Sequence, residues 1–341
     1  MPRIQRSAFG GVACLAILAS ACGATASMSQ GDPMAIRNRE QDPIPLWPDT
    51  APGSGRLALN ETITDRSSDS SRPDRIVTGI TQPTLTLYAA PHPNGAALIV
   101  ASGGGYVREV LDKEGSEVAR WFAPRGVSVF LLKYRLPGEG HDDGKDAPLQ
   151  DAQRAVRLLR SKAPHLGIDP TRIGVMGFSA GGHLAASLGA RFGDKVYETM
   201  DEIDSASARP DYLILLYPVI SMENPMAHGS SRRALLGENP SPDLISAYSA
   251  DKRVGPFAPP TLLILADDDQ SVPPENSLLY YQALHRAGVP AELHIYQQGK
   301  HGFGLRGTVG LPVAEWPEVA WRWMAAVGMV PKEATGAAPS Q

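Results

Sequence analysis

Cysteine is nearly absent from this chain: among its 341 residues only Cys14 and Cys22 are cysteine, and both sit close to the N-terminus. That excludes an internal disulfide, a thiolate metal site and a thiol nucleophile from everything that follows. Beyond the N-terminal stretch no second long apolar run occurs, so nothing there spans a bilayer as a helix. A net charge of −4 offers no cationic field for nucleic acid or an anionic surface. The histidines at His92, His141, His165, His228, His285 and His294 show no metal-ligand spacing. No internal repeat is present. Stability must therefore come from a hydrophobic core, for which a chain of this length is ample.

Residues 1–26 read as an export signal. Arg3 and Arg6 supply a positive n-region, and residues 12–21 form an apolar h-region too short to span a membrane stably. Ser20-Ala21-Cys22 resembles a bacterial lipobox, with 1–21 removed and Cys22 as the lipidated first residue, although Ala19 replaces the usual aliphatic residue. Ala19-Ser20-Ala21 and Ala24-Thr25-Ala26 are also acceptable sites for ordinary signal peptidase. The expectation is an exported protein, periplasmic or secreted, touching a membrane only through a lipid at Cys22 if the lipobox is used.

Residues 27–75 are rich in Pro, Ser, Asp and Gly with little periodicity, as in a flexible tether followed by an extended arm. Ile44-Pro45-Leu46-Trp47-Pro48 is an apolar island in it, expected to pack on the following domain. Residues 76–330 then alternate strands and helices. Strands are expected at 84–88 (a sheet edge), 96–100, 127–134, 173–176, 213–217, 262–265 and 292–296. Helices are expected at 114–122, 147–163, 274–287 and 315–327, with Gly288 closing the third. Such alternation implies an α/β fold, a mostly parallel sheet with helices on both faces. Right-handed crossovers place every strand-to-helix loop at one edge, where sites form. Residues 219–259 have weak pattern and read as an insertion near that edge. Residues 331–341 read as a disordered tail.

Gly177-Phe178-Ser179-Ala180-Gly181 carries the most chemical information. A short apolar run, Ile173-Gly174-Val175-Met176, precedes it, and helix formers from Gly182 to Leu188 follow. This is the context of a nucleophile elbow, where a serine is lifted onto a strained strand-to-helix turn that glycines on either side allow. A Gly-rich turn is the alternative for a bare pattern of this kind.

A serine hydroxyl attacks only when a base takes its proton and an acid holds the base. Leu262-Leu263-Ile264-Leu265 leads into Asp267-Asp268-Asp269, adjacent carboxylates that cannot all stay charged cheaply if buried. One is expected to point inward while the others face solvent or cap the next helix. Gly299-Lys300-His301-Gly302 follows the last strand and puts a histidine on a glycine-flanked loop. The order Ser179, Asp269, His301 matches the nucleophile, acid, base order of α/β-hydrolases. Asp-x-x-Val-Pro spacing selects Asp269, with Asp268 second. His183, four residues past Ser179, competes as base but falls on the first turn of the helix, where packing is expected. For the oxyanion formed on attack, the amide of Ala180 supplies one donor, and Gly103-Gly104-Gly105 a second from Gly104 or Gly105. A triple glycine also suits a phosphate loop, but no Gly-Lys-Ser/Thr follows it.

With these residues in place the chain resembles the exported bacterial α/β-hydrolases known as acetyl xylan esterases and related carbohydrate esterases. The shared segments are Ile44 to Pro48, Gly103-Gly104-Gly105-Tyr106, Lys133-Tyr134-Arg135-Leu136, Asp169-Pro170 with Arg172-Ile173, Gly177 to Leu184, Val272-Pro273-Pro274-Glu275-Asn276-Ser277 and His301-Gly302-Phe303-Gly304-Leu305. Ser102 departs from the pattern, standing where many such esterases carry His or Pro. The resemblance implies an eight-stranded-type sheet and a Ser-His-Asp hydrolase that removes acetyl or other small acyl groups from a small-molecule or oligosaccharide ester, with no metal or cofactor. General carboxylesterases and feruloyl esterases share these motifs. A serine peptidase of the prolyl-oligopeptidase type shares the triad and its order, although this chain lacks the propeller domain usual there. A non-catalytic binding protein on the same fold would normally have lost Ser, Asp or His.

Overall fold

The computed structural model describes residues 42–332. The expected export signal, Cys22 and the first part of the expected tether lie outside the described residues, as does most of the expected tail.

Eleven strands form among the described residues: β1 (Ile44–Pro45), β2 (Thr62–Asp65), β3 (Arg75–Thr78), β4 (Thr84–Tyr88), β5 (Ala97–Ala101), β6 (Glu109–Val110), β7 (Ser128–Lys133), β8 (Ile173–Phe178), β9 (Tyr212–Leu216), β10 (Thr261–Ala266) and β11 (Ala291–Tyr296). The α-helices are α1 (Glu117–Phe122), α2 (Ala147–Leu166), α3 (Ser179–Arg191), α4 (Gly229–Leu236), α5 (Pro242–Ala247), α6 (Glu275–Arg286) and α7 (Trp316–Ala326). The main sheet has eight strands in the order β1-β4-β7-β5-β8-β9-β10-β11. It is parallel from β7 through β11, while β4 and β1 add antiparallel. This is the α/β-hydrolase architecture.

Central strands are buried on both sides, which is why their sequences are continuous apolar runs rather than alternating ones. Within β5, Ala97, Ile99 and Ala101 face one core and Leu98 and Val100 the other. The first core is covered by α2, α3 and α6, through side chains such as Leu159, Leu184 and Tyr280. The second is covered by α1 and α7, through Val118, Phe122, Trp316 and Met324. Residues 219–259 form the two short helices α4 and α5 with intervening turns, as an insertion at the loop edge would.

Two sequence expectations change. The stretch read as tether and arm contains strand β2, which pairs with β3, and β3 in turn pairs with β6 to make a separate three-stranded antiparallel sheet. All of β2 is exposed, so no apolar alternation marked it. The helix expected over 114–122 begins instead as a π-helical turn over Asp112–Ser116 before α1. This turn buries Asp112 and Glu114, two acids that a helix-surface reading leaves in solvent.

The apolar arm does pack on the domain. Leu46 and Trp47 are buried, and β1 extends the sheet beside β4, which was expected at the edge. Trp47 Nε1 donates to Asp151 Oδ1 at 2.8 Å, and Arg154 Nε donates to the Leu46 carbonyl at 2.8 Å. Asp151 also binds Arg135, whose Nη2 lies 2.8 Å away; both side chains are fully buried. Arg135 further donates to Gln150 Oε1 at 2.8 Å and to the Pro52 carbonyl. A buried ion pair of this kind adds little over an apolar pair, but removing one partner strands the other charge without water. Asp151→Ala should therefore lower unfolding free energy by about 3–5 kcal/mol in urea titrations. A loss within about 1 kcal/mol would show that the arm is not anchored through this carboxylate.

Candidate active site

Strand β8 delivers Ser179 to the top of the sheet, and α3 begins at that residue. Ser179 has φ +52°, a left-handed conformation unfavourable for a residue with a Cβ. The turn is tight enough that a Cβ on Gly181 would stand 2.2 Å from the Ala101 carbonyl oxygen, and one on Gly177 2.3 Å from that of Gly181. Both positions therefore require glycine.

Two distant loops meet this serine. His301 Nε2 lies 2.8 Å from Ser179 Oγ, and His301 Nδ1 lies 2.7 Å from Asp269 Oδ2. A carboxylate accepts, so Nδ1 carries the proton and Nε2 is left to accept from the serine hydroxyl. Asp269 Oδ1 accepts the amides of Ser271 at 2.8 Å and Val272 at 2.9 Å, which fixes the carboxylate in a buried position. Asp268, the second choice for the acid, does something else: its Oδ1 accepts the amides of Gly299 and Lys300, at 2.9 and 2.7 Å, and so holds the loop that carries His301.

The residues expected as oxyanion donors lie on the two sides of Ser179 in the chain's fold. Ala180 is in the first turn of α3, where an amide has no intrahelical acceptor. Gly104 and Gly105 take φ +136° and +70°, and both line the same cleft as Ser179. The neighbouring Gly103 is engaged otherwise, since its amide donates to Glu114 Oε2 at 2.8 Å. Glu114 Oε1 accepts the Tyr217 hydroxyl at 3.0 Å, and that hydroxyl oxygen accepts the Gly304 amide at 3.1 Å. Tyr217 in turn sets its ring edge-on to His301, with centroids 5.0 Å apart. Nothing in the sequence singled out Glu114 or Tyr217; only the π-helical turn and the positive φ of Tyr217 bring them inward. Ser102 is buried with its hydroxyl toward Glu109 at 3.5 Å, and its carbonyl accepts the Tyr134 hydroxyl at 2.8 Å, so the departure from the His or Pro pattern lies behind the glycine loop.

The cleft in front of Ser179 encloses about 410 Å³ and is lined also by His228, Ser230, Arg108 and Lys113. His228, set aside in sequence for want of metal spacing, stacks near His301 with ring centroids 6.5 Å apart. It stands just before α4 of the insertion, a placement that spacing could not reveal.

With this geometry the family is decided. The chain belongs to the BD-FAE family. That family's model matches residues 85–284, more than half of the chain. The chain is 36% identical over 225 residues to an acetylxylan esterase of Xylanibacter ruminicola, covering 65% of this chain and 44% of that protein. It is 36% identical over 205 residues to endo-1,4-beta-xylanase B of Butyrivibrio fibrisolvens, covering 60% of this chain and 32% of the relative. The chain thus spans less than half the length of these curated relatives. Among solved structures, an acetyl ester-xyloside bifunctional hydrolase from Caldicellulosiruptor lactoaceticus superposes with TM-score 0.70 at 39% identity, covering 85% of this chain and 97% of that one. The resemblance drawn from the motifs and the relatives found by comparison point to the same group.

His183, the competing base, is a packed residue. Its Nε2 donates to the Tyr248 carbonyl at 2.8 Å, so Nδ1 accepts the Tyr106 hydroxyl at 2.8 Å, and it anchors the glycine loop through Tyr106. Burial pushes its pKa from the ordinary 6.5 down to about 4. Above pH 6.5 the ring is neutral folded or unfolded and contributes no pH dependence. As pH falls below that, only the unfolded chain takes the proton, so stability is lost progressively until about pH 4. His183→Gln should remove on the order of 3 kcal/mol of the stability change between neutral pH and pH 4. Urea midpoints measured across that window in both proteins check this, and parallel curves would contradict a neutral buried imidazole.

Proposed function

We propose that this protein is a serine carboxylic-ester hydrolase that removes acetyl or other small acyl groups from carbohydrate. The observation that carries the reading is the unbroken hydrogen-bonded line from Ser179 Oγ through His301 to Asp269, opening on a cleft with Gly104 and Gly105 at its wall. His301 Nε2 takes the serine proton as Oγ adds to the ester carbonyl carbon, and Asp269 stabilises the imidazolium. The oxyanion faces the amides of Ala180 and of Gly104 or Gly105. Collapse breaks the ester C–O bond, the sugar alcohol leaves with the proton from His301, and an acyl-serine remains. Water, deprotonated by His301, then releases the carboxylic acid and restores Ser179. The first proton transfer runs between Ser179 and His301, groups already in contact.

Support for a sugar ester comes from the relatives' own descriptions, an acetylxylan esterase and an acetyl ester-xyloside hydrolase. Support for a small acyl group comes from the same names.

Ser179→Ala should lower turnover of 4-nitrophenyl acetate by roughly 10⁶-fold while leaving the circular dichroism spectrum unchanged. Turnover within about tenfold of wild type would remove Ser179 from the reaction. Across 4-nitrophenyl acetate, butyrate and octanoate, kcat/KM should fall steadily with chain length. A preference for octanoate would sink the small-acyl reading while sparing the serine mechanism.

A further inference from the structure

Charge around the cleft does not follow the charge of the chain. The protein as a whole carries −4, yet Arg66, Arg108 and Lys113 all line the space in front of Ser179 and His301. Arg66 is paired with Asp74 at 2.8 Å. Among the described residues, the side chains of Arg108 and Lys113 have neither an ion-pair nor a hydrogen-bond partner. The Nε of Arg108 is moreover buried without an acceptor. The one acid that lines the cleft, Glu114, is committed, with one oxygen taken by the Gly103 amide and the other by the Tyr217 hydroxyl.

A partly buried guanidinium without a counter-ion is unfavourable in the free protein, and its fold tolerates it at a site where an anion arrives. Its planar fork matches a carboxylate, and the neighbouring ammonium adds attraction as a point charge. Cations focused in a cleft also raise the encounter rate of anionic substrates. Because the same cleft holds Ser179, the anion and the scissile ester belong to one molecule. An acetyl group has no room for a second charge, so the carboxylate sits on the alcohol portion.

We infer that Arg108 and Lys113 select ester substrates whose sugar carries a carboxylate, that is, acylated uronic acids or oligosaccharides containing them. This rests on the ester-hydrolase reading above and adds the class of sugar to it. Arg108 binds the carboxylate, Lys113 reinforces it, and neither touches the reacting atoms.

The test compares an O-acetylated methyl glucuronide with the O-acetylated methyl glucoside that differs only in carrying CH₂OH in place of the carboxylate. With the full protein at low ionic strength, kcat/KM should favour the glucuronide by about tenfold, chiefly through KM. That ratio should shrink toward one as salt is added. It should also approach one in the double variant Arg108→Gln, Lys113→Gln, a comparison internal to each enzyme and so independent of how much of it is folded. A wild-type ratio near or below one would overturn the inference, and so would a preference that survives the double variant. Turnover of 4-nitrophenyl acetate by the same preparation separates the two levels: with it, a ratio near one sinks only the choice of sugar; without it, the hydrolase reading and this inference fall together.

Discussion

The approach of helix α3 to the sheet is the constraint on which the site depends. Ser179 can be presented above the strand ends only if the chain reverses within a few atoms of β8, and this leaves the serine in a left-handed conformation. Such strain, of the order of 1–3 kcal/mol, persists only where the surroundings over-determine it. Here they do. Every residue of β8 is buried, the strand lies inside the sheet between β5 and β9, and the Ser179 carbonyl accepts the Val219 amide at 3.0 Å. Gly177 and Gly181 let helix and sheet close to backbone contact, so the strain is set by packing against a rigid sheet rather than by the turn alone.

The elbow and the order of acid and base were legible because each follows a strand whose apolar run is unmistakable, and because glycines around Ser179 and His301 have a steric reason. Choosing among Asp267, Asp268 and Asp269 was a different matter. Residue spacing says that one of them can point inward; it does not say which loop amides each will meet. Asp269 is directed by the amides of Ser271 and Val272, and Asp268 by those of Gly299 and Lys300, partners that exist only once two loops have come together. The expectation that the spare carboxylates serve solvent or a cap was thus too modest for Asp268. Strand β2 failed to show for a simpler reason: it is exposed throughout and buries no apolar face that could mark a period of two.

Glu114 shows how far a single buried side chain can link what the sequence keeps apart. Its two oxygens join the glycine loop after β5 to Tyr217 after β9, and Tyr217 joins the histidine loop after β11 through Gly304. The donors on this carboxylate are an amide and a phenol, both neutral, so its position is fixed by direction rather than by a counter-ion. An ordinary helix through Asp112–Ser116 would place successive residues at 100° steps and carry part of this segment to solvent. The π-helical turn takes more residues per turn and so a smaller step between them, and Asp112, Glu114, Gly115 and Ser116 are all buried. Asp112 uses that burial to bind Arg75 at the start of β3, the middle strand of the small sheet, at 2.8 Å. The segment therefore clamps the three-stranded sheet on one side and the two catalytic-edge loops on the other.

That arrangement bears on the electrostatics of the cleft. If Glu114 faced solvent with free oxygens, it would neutralise Lys113 beside it in sequence and weaken the field of Arg108 across the glycine loop. Held instead by Gly103 and Tyr217, it spends its lone pairs on positioning, and among the described residues Arg108 and Lys113 on the cleft wall form no ion pair with it. The same bonds that tie the glycine loop to the loop of His301 thus leave Arg108 and Lys113 facing the space before Ser179. One carboxylate joins these loops, and its direction follows from a local irregularity of the helix that bears it.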